Sequence, residues 1–268
     1  MRPIVLLCLL LAVSCASTAT PTVVGAFGER PVIELPSRPE PTTPTVSVLS
    51  EGTGPRTRRG EVVLTEVEIR RWDGAKPYLT TYDTNQPTTV VLDGRHVSPA
   101  WERALLDRPV GSRVMLVTPA RLGYGPHGVP GHADGDETLV LVFDILAGYP
   151  PDARLVGRRL PDLPRTLRSG VLIDGSGPTV APGDRVVVRY VGARWPSRKV
   201  FDRGGPSAVV LKEGAVPPGW VEELTGRRVG SRVAITAPPV AKAGLTTGGM
   251  PVPGGSRLVY VVDLIDTV

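Results

Sequence analysis

The sequence predicts an α+β chain of two similar domains, each a twisted antiparallel sheet with one short helix packed across a face. Three observations point there. Trp101, Val110-Gly111-Ser112-Arg113-Val114 and Pro119 return as Trp220, Val229-Gly230-Ser231-Arg232-Val233 and Pro238, at a constant offset of 119 (220 minus 101, and 229 minus 110). Self-similarity at fixed spacing marks repeated structural units, and 268 residues leave room for two of roughly 100 each. The chain also carries 29 Pro and 31 Gly. Both residues break helices, so the Val-rich runs between them read as strands.

The N-terminal region divides in two. Residues 1–15 read as a signal peptide: Met1-Arg2-Pro3 is a charged start, and Ile4 to Val13 is an apolar run too short to span a bilayer. Ala12-Val13-Ser14-Cys15 resembles a bacterial lipobox, with Ala12 where Leu is usual. Cleavage there would leave Cys15 first and ready for lipid attachment; the other reading is an ordinary secretory signal cut near Ala16 to Ala19. Cys8 and Cys15 are the only cysteines, so a chain lipidated on Cys15 forms no internal disulfide. Residues 16–45, with Pro36, Pro39, Pro41 and Pro44, read as a Pro/Thr-rich tether that packs no core. The expectation is an exported protein, lipid-anchored to the outer face of a bacterial membrane.

The first folded domain is expected over 46–149. Strands are predicted at Glu61 to Ile69, Val90 to Asp93, Arg113 to Thr118 and Thr138 to Leu146. Val97 to Leu106 is the one convincing helix: Ser98 suits the cap, Pro99 the first turn, and Trp101, Ala104 and Leu105 share a face. The Gly-rich connection from Gly123 to Glu137 is long enough to suggest a functional loop. After a linker at 150–165, the domain at 166–268 repeats the plan. Arg185 to Tyr190, Arg232 to Ala237 and Arg257 to Ile265 are its strands, and Pro218 to Leu224 its helix. Its Gly turn, Asp174 to Pro178, lies 123 residues after the first one (175 minus 52) rather than 119, so a loop has changed length in between.

The net charge of +5 comes from scattered arginines. No basic run is interleaved with aromatics, so no nucleic-acid partner is expected. His127, His132, Asp134 and Asp136 cluster in the long loop without a recognised ligand spacing, so no metal is expected either. Phosphate loops, Gly-x-Ser-x-Gly turns and Cys-based sites are missing from the sequence.

Each domain resembles the FKBP-type peptidyl-prolyl isomerases. In the second copy the resemblance is carried by Gly183 to Gly192, ending in Tyr190-Val191-Gly192, by Phe201-Asp202, by Val216-Pro217-Pro218-Gly219-Trp220, by Val229-Gly230-Ser231 and by Leu258 to Leu264. The first copy offers Tyr82-Asp83, Val97 to Trp101, Val110-Gly111-Ser112, Gly123-Tyr124-Gly125 and Leu139 to Ile145. The resemblance implies two FKBP-like domains, each a sheet half-wrapped around its helix, acting without a cofactor on unfolded or Pro-containing polypeptides. The protein is expected to be a monomer, bound to the membrane through its lipid.

Prolyl isomerisation makes and breaks no covalent bond; its barrier is the amide resonance, ~20 kcal/mol. Water stabilises the planar amide more than the twisted one. An apolar pocket with a donor on the displaced carbonyl therefore lowers the barrier, with no base, nucleophile or metal. The resemblance implies a site in the first copy of Trp101 as floor, Tyr82 as wall, Asp83 as carboxylate, the Ser98 N–H and the Tyr124 hydroxyl, flanked by Val97 and Leu141. Val67 stands where the family has a strand Tyr, and Val129 near its loop His. In the second copy it implies Tyr190, Phe201, Asp202, Val216 and Trp220. There Pro217, which has no N–H, takes the backbone-donor place, and Ala243, beside Lys242, stands where the loop Tyr is expected. The first domain is therefore the expected isomerase and the second a weak or inactive peptide binder. The alternatives are a tandem chaperone scaffold without activity, and a structural spacer. Each aromatic also has a structural reading: either Trp as core, Tyr124 as a loop anchor, Asp83 and Asp202 as partners of backbone or arginine.

Overall fold

The computed structural model describes residues 20–37, 40–74, 77–127, 133–153, 168–239, 245–247 and 250–268. Cys8, Cys15, Val129, His132, Lys242, Ala243 and most of the 150–165 linker lie outside them. In the first half the elements run β1 (Thr22–Val24), β2 (Val32–Glu34), β3 (Thr45–Ser50), β4 (Val62–Arg71), β5 (Leu79–Thr80), β6 (Thr88–Val91), α1 (Pro99–Leu105), β7 (Arg113–Pro119), α2 (Ala120–Tyr124) and β8 (Thr138–Tyr149). The second half holds β9 (Gly170–Ile173), β10 (Arg185–Trp195), β11 (Val200–Val210), α3 (Trp220–Leu224), β12 (Arg232–Ala237), β13 (Leu245–Thr247), β14 (Met250–Val252) and β15 (Arg257–Thr267).

Two antiparallel sheets repeat one topology. The first runs β3-β7-β8-β4-β5 with β6 also on β4; the second runs β9-β12-β15-β10-β11. Register repeats with order: Val114 faces Phe143 as Val233 faces Val262, and Ile69 faces Leu141 as Gly192 faces Tyr260. On each inner face a helix closes the core. Val63, Val67, Ile69, Leu105, Leu116 and Phe143 fill the first, and Val186, Val188, Leu224, Ile235, Val262 and Leu264 the second.

The repeated Val-Gly-Ser-Arg-Val is explained residue by residue. The Val110 carbonyl accepts from the Gly54 N–H at 3.0 Å and Ser112 Oγ from the Gly52 N–H at 2.9 Å. Val229 and Ser231 do the same for Gly177 and Gly175. The approach is so close that a Cβ on Gly52 would lie 2.2 Å from the Val110 carbonyl oxygen, and one on Gly175 2.3 Å from that of Val229. Arg113, next in the motif, makes a two-pronged bond to Asp144 at 2.6 and 2.7 Å, and Arg232 does so to Asp263 at 2.5 and 2.7 Å. All four side chains are at most 2 % exposed. The final Val of each motif enters the core.

The expected tether is overturned over its described part. β1 and β2 form a hairpin laid on the outer face of the first sheet, where Ile33 packs with Trp72, Met115, Val117, Val140 and Val142. The hairpin also completes the buried ion pair. Carbonyls of Gly25 and Glu29 accept from Arg113 at 2.7 and 2.5 Å, and the Gly28 N–H donates to Asp144 at 2.7 Å. Prolines around it, read as extended chain, bracket strands of three residues whose stability comes from the face they cover.

Other differences concern length and number. β4, β8, β10 and β15 run past their predicted ends, and α2, β5, β9 and β11 were not anticipated. The domains meet along outer faces. Leu64 of β4 packs with Val187 of β10 and Ala208 of β11, Arg185 pairs with buried Glu66, and Tyr149 donates to Asp266 at 2.8 Å. Neighbouring residues of β4 and β10, Val63 and Val186, point into their own cores instead.

Candidate functional site

The first site is built on α1. Ser98 Oγ caps it by accepting from the Trp101 N–H at 3.4 Å, and Pro99 fits the first turn with its preset φ. Ala104 and Leu105 are buried and half-buried Trp101 packs against their cluster, its ring 4.8 Å edge-on from Phe143. The remaining side of the indole faces a cavity of about 550 Å³, also lined by Val90, Val97, Ser98, Gly123 and Tyr124. Turning at Ala120–Tyr124, α2 brings the Tyr124 ring to 5.7 Å from Trp101, at a right angle within a few degrees, and to 6.2 Å from Tyr78. Desolvation, with Tyr78 adding to it, raises the Tyr124 pKa, so the hydroxyl stays a donor. Among the described residues nothing accepts from the Ser98 N–H.

Of the residues expected here, Val97, Ser98, Trp101 and Tyr124 come together. Leu141 does not: it is fully buried in the core. Tyr82 and Asp83 do not either. Tyr82 donates to Asp144 at 2.9 Å, joining the ion pair on the outer face, and burial and that carboxylate raise its pKa. Asp83 pairs with Arg30 of the hairpin at 2.7 Å.

The register shows why. Ile69 faces Leu79 in the first sheet as Gly192 faces Asp202 in the second. Val63 faces Val90 as Val186 faces Val209. Ten residues separate Leu79 from Val90 but six separate Asp202 from Val209, so the first copy carries four extra residues here. Tyr82-Asp83 belong to that excursion, which splits one long strand into β5 and β6. Tyr78-Leu79 stand where Phe201-Asp202 stand, so the buried carboxylate is replaced by Leu79. Carrying the offset of 123 forward from the Gly turn would have found Tyr78.

The second site keeps its aromatics and its acid. A register shift between Gly192 and Ala193 leaves Phe201 unpaired, and such a bulge lets consecutive side chains share a face. Phe201 enters the core while Asp202 accepts from the Tyr190 hydroxyl at 2.9 Å. Tyr190 and Tyr260 lie 5.1 and 5.6 Å from Trp220, and Phe201 is 5.8 Å from Tyr260. Val216 is buried in the same cluster. Tyr260, missed in the sequence, sits across from Gly192, where a Cβ would meet its ring at 2.8 Å. Burial, then Asp202, pushes its hydroxyl up to about 12. Two features set this copy apart: Trp220 is 1 % exposed, and Pro217 holds the position of Ser98.

Among the described residues no three His, Cys, Asp or Glu gather as metal ligands; Asp136 pairs with Arg121. No helix among them is long and apolar enough to cross a membrane. The first site is thus an apolar cavity floored by an indole, with a backbone N–H and a phenol hydroxyl at its lining.

Residues 54–146 and 177–265 each match the model of the FKBP-type peptidyl-prolyl cis-trans isomerases. The chain belongs to that family, twice over. It is 36 % identical over 106 residues to the "Probable FK506-binding protein" of Corynebacterium glutamicum, covering 38 % of this chain and 87 % of that one. FK506-binding protein 4 of Chaetomium thermophilum is 38 % identical over 114 residues, 40 % of this chain but 23 % of the fungal protein. The three FKBP domains of wheat FKBP73 align at 19 % identity over 84 % of this chain and 94 % of theirs, with a TM-score of 0.36.

Proposed function

We propose that the first domain isomerises X-Pro bonds of exported polypeptides, while the second binds chain weakly or holds the first in place. The observation that carries this reading is the open cavity over Trp101 with the Ser98 N–H unspent at its edge. A prolyl ring over the indole leaves water. The amide then loses solvation that favours its planar form, and the Ser98 N–H and Tyr124 hydroxyl can hold the flanking carbonyls as the bond turns. Leu79, at the acid's register position, is exposed and does not line the cavity, so the first site lacks the carboxylate that would orient the amide, and modest turnover is expected. In the second site the indole is covered and Pro217, which has no N–H, takes the donor's place.

Exchange spectroscopy on a Pro peptide tests this with the intact chain. Trp101→Ala is expected to lower the catalysed exchange rate at least tenfold and Trp220→Ala to change it less than twofold. The reverse order would transfer the activity to the second domain. An inactive wild type that still binds the peptide would favour the scaffold reading.

Export and anchoring through Cys15 complete the proposal, resting on the lipobox-like Ala12 to Cys15. Mass spectrometry of the membrane fraction is expected to find diacylglycerol on Cys15, and an unmodified, soluble product would refute it.

A further inference from the structure

The cavity wall of the first domain carries a charge pattern that Trp101 and Ser98 do not explain. Arg95 and His96 line its mouth beside Thr88 and Thr89, and none of the residues lining the cavity is an Asp or Glu. The neighbouring acidic side chains are already engaged. His96 Nδ1 lies 2.6 Å from Asp93, whose carboxylate also accepts from the Arg95 and His96 N–H groups at 2.9 and 3.0 Å. Arg59 pairs with Glu102 at 3.1 Å. Arg95 is left exposed, and among the described residues its guanidinium has no anionic partner. The carboxylate kept in the second copy as Asp202 is absent from the first, where Leu79 takes its register position. The cavity therefore presents an apolar floor, hydroxyl and N–H donors, and at its edge an exposed guanidinium that has no ion-pair partner among the described residues.

We propose that Arg95 selects polypeptides with an acidic residue next to the proline. This rests on the reading of the Trp101 cavity as a proline site. The ring fills the apolar floor, and the residue before it, carried toward the mouth, meets the guanidinium. An acidic side chain gains a charge-assisted hydrogen bond there; a lysine is repelled. Because the pair is exposed, each effect is worth roughly 2- to 5-fold.

Three peptides differing only in Glu, Leu or Lys before Pro test the idea with the intact protein. The readouts are kcat/KM for exchange and Kd from the indole N–H shift of Trp101. The expected order is Glu, Leu, Lys, with roughly 5- to 20-fold between the ends. Arg95→Glu is expected to invert it, and salt near 1 M, where the Debye length is about 3 Å, to flatten it. Equal constants for the three peptides, or a ratio unmoved by Arg95→Glu, would overturn the proposal. If none is isomerised but all bind, the activity reading fails by itself and the Kd ratio still decides the preference. If none shifts Trp101, both fail.

Discussion

Replacing Arg113 by Met strands a carboxylate that water cannot reach. Asp144 is fully buried and receives two hydrogen bonds from the guanidinium. Removing one partner of such a pair costs about 3–5 kcal/mol. The Gly28 N–H and the Tyr82 hydroxyl remain on Asp144, which places Arg113→Met near the lower end, about 3 kcal/mol. Asp144→Leu leaves a buried cation with the hairpin carbonyls of Gly25 and Glu29 and the Tyr82 hydroxyl beside it, so about 4 kcal/mol is expected. The double variant removes both charges and is expected to recover most of the loss, with a coupling of at least about 2 kcal/mol. Urea denaturation followed by tryptophan fluorescence measures all four corners of the cycle. For a slope of about 1–3 kcal/mol/M, the single variants should lower the midpoint by roughly 1–4 M. Limited proteolysis between Gly25 and Glu29 should become faster in each single variant, since the turn loses its anchor. Additive effects, or single losses below about 1 kcal/mol, would show that the pair is not what fixes the hairpin and sheet.

Two further outcomes follow from close approaches and from burial. Gly52→Ala and Gly175→Ala put a methyl 2.2–2.3 Å from a carbonyl oxygen; each is expected to cost several kcal/mol (roughly 3 or more) by forcing the turn off its strand, which calorimetry would read as a lower Tm. A loss under about 1 kcal/mol in either would mean that the turn relaxes freely. Tyr260 should keep its proton to about pH 12, whereas tyrosines of the unfolded chain ionise near 10. Between those values the folded state binds more protons than the unfolded one, so stability is full below pH ~10 and falls as pH rises through the window. Tyr260→Phe should reduce that alkaline fall, seen in denaturation midpoints at pH 9 and 11; an unchanged fall would place the effect elsewhere.

The repeated Trp and Val-Gly-Ser-Arg-Val made the double fold legible because those residues act through local turns and one fixed partner each. The Phe201-Asp202 site was legible for the same reason: it lies on a strand whose register is continuous with Tyr190. Tyr82-Asp83 looked equivalent by residue type, but strand register, not type, decides which face a side chain reaches. The hairpin was hidden because three-residue strands carry almost no signal of their own. Its trace lies in its partner: Leu139 to Ile145 is apolar on both faces apart from Asp144, as befits a strand covered twice. Arg95 was passed over because a lone arginine acquires meaning only beside a cavity.

The packing of Leu64 against Val187 and Ala208 has a consequence for how the protein meets a client. The contact uses residues of the outer faces of both sheets, whereas Trp101 and Trp220 pack with the inner-face clusters. On the proposed reading, a client that engages both domains does so in two linked encounters, the second set by the length of slack between its prolines.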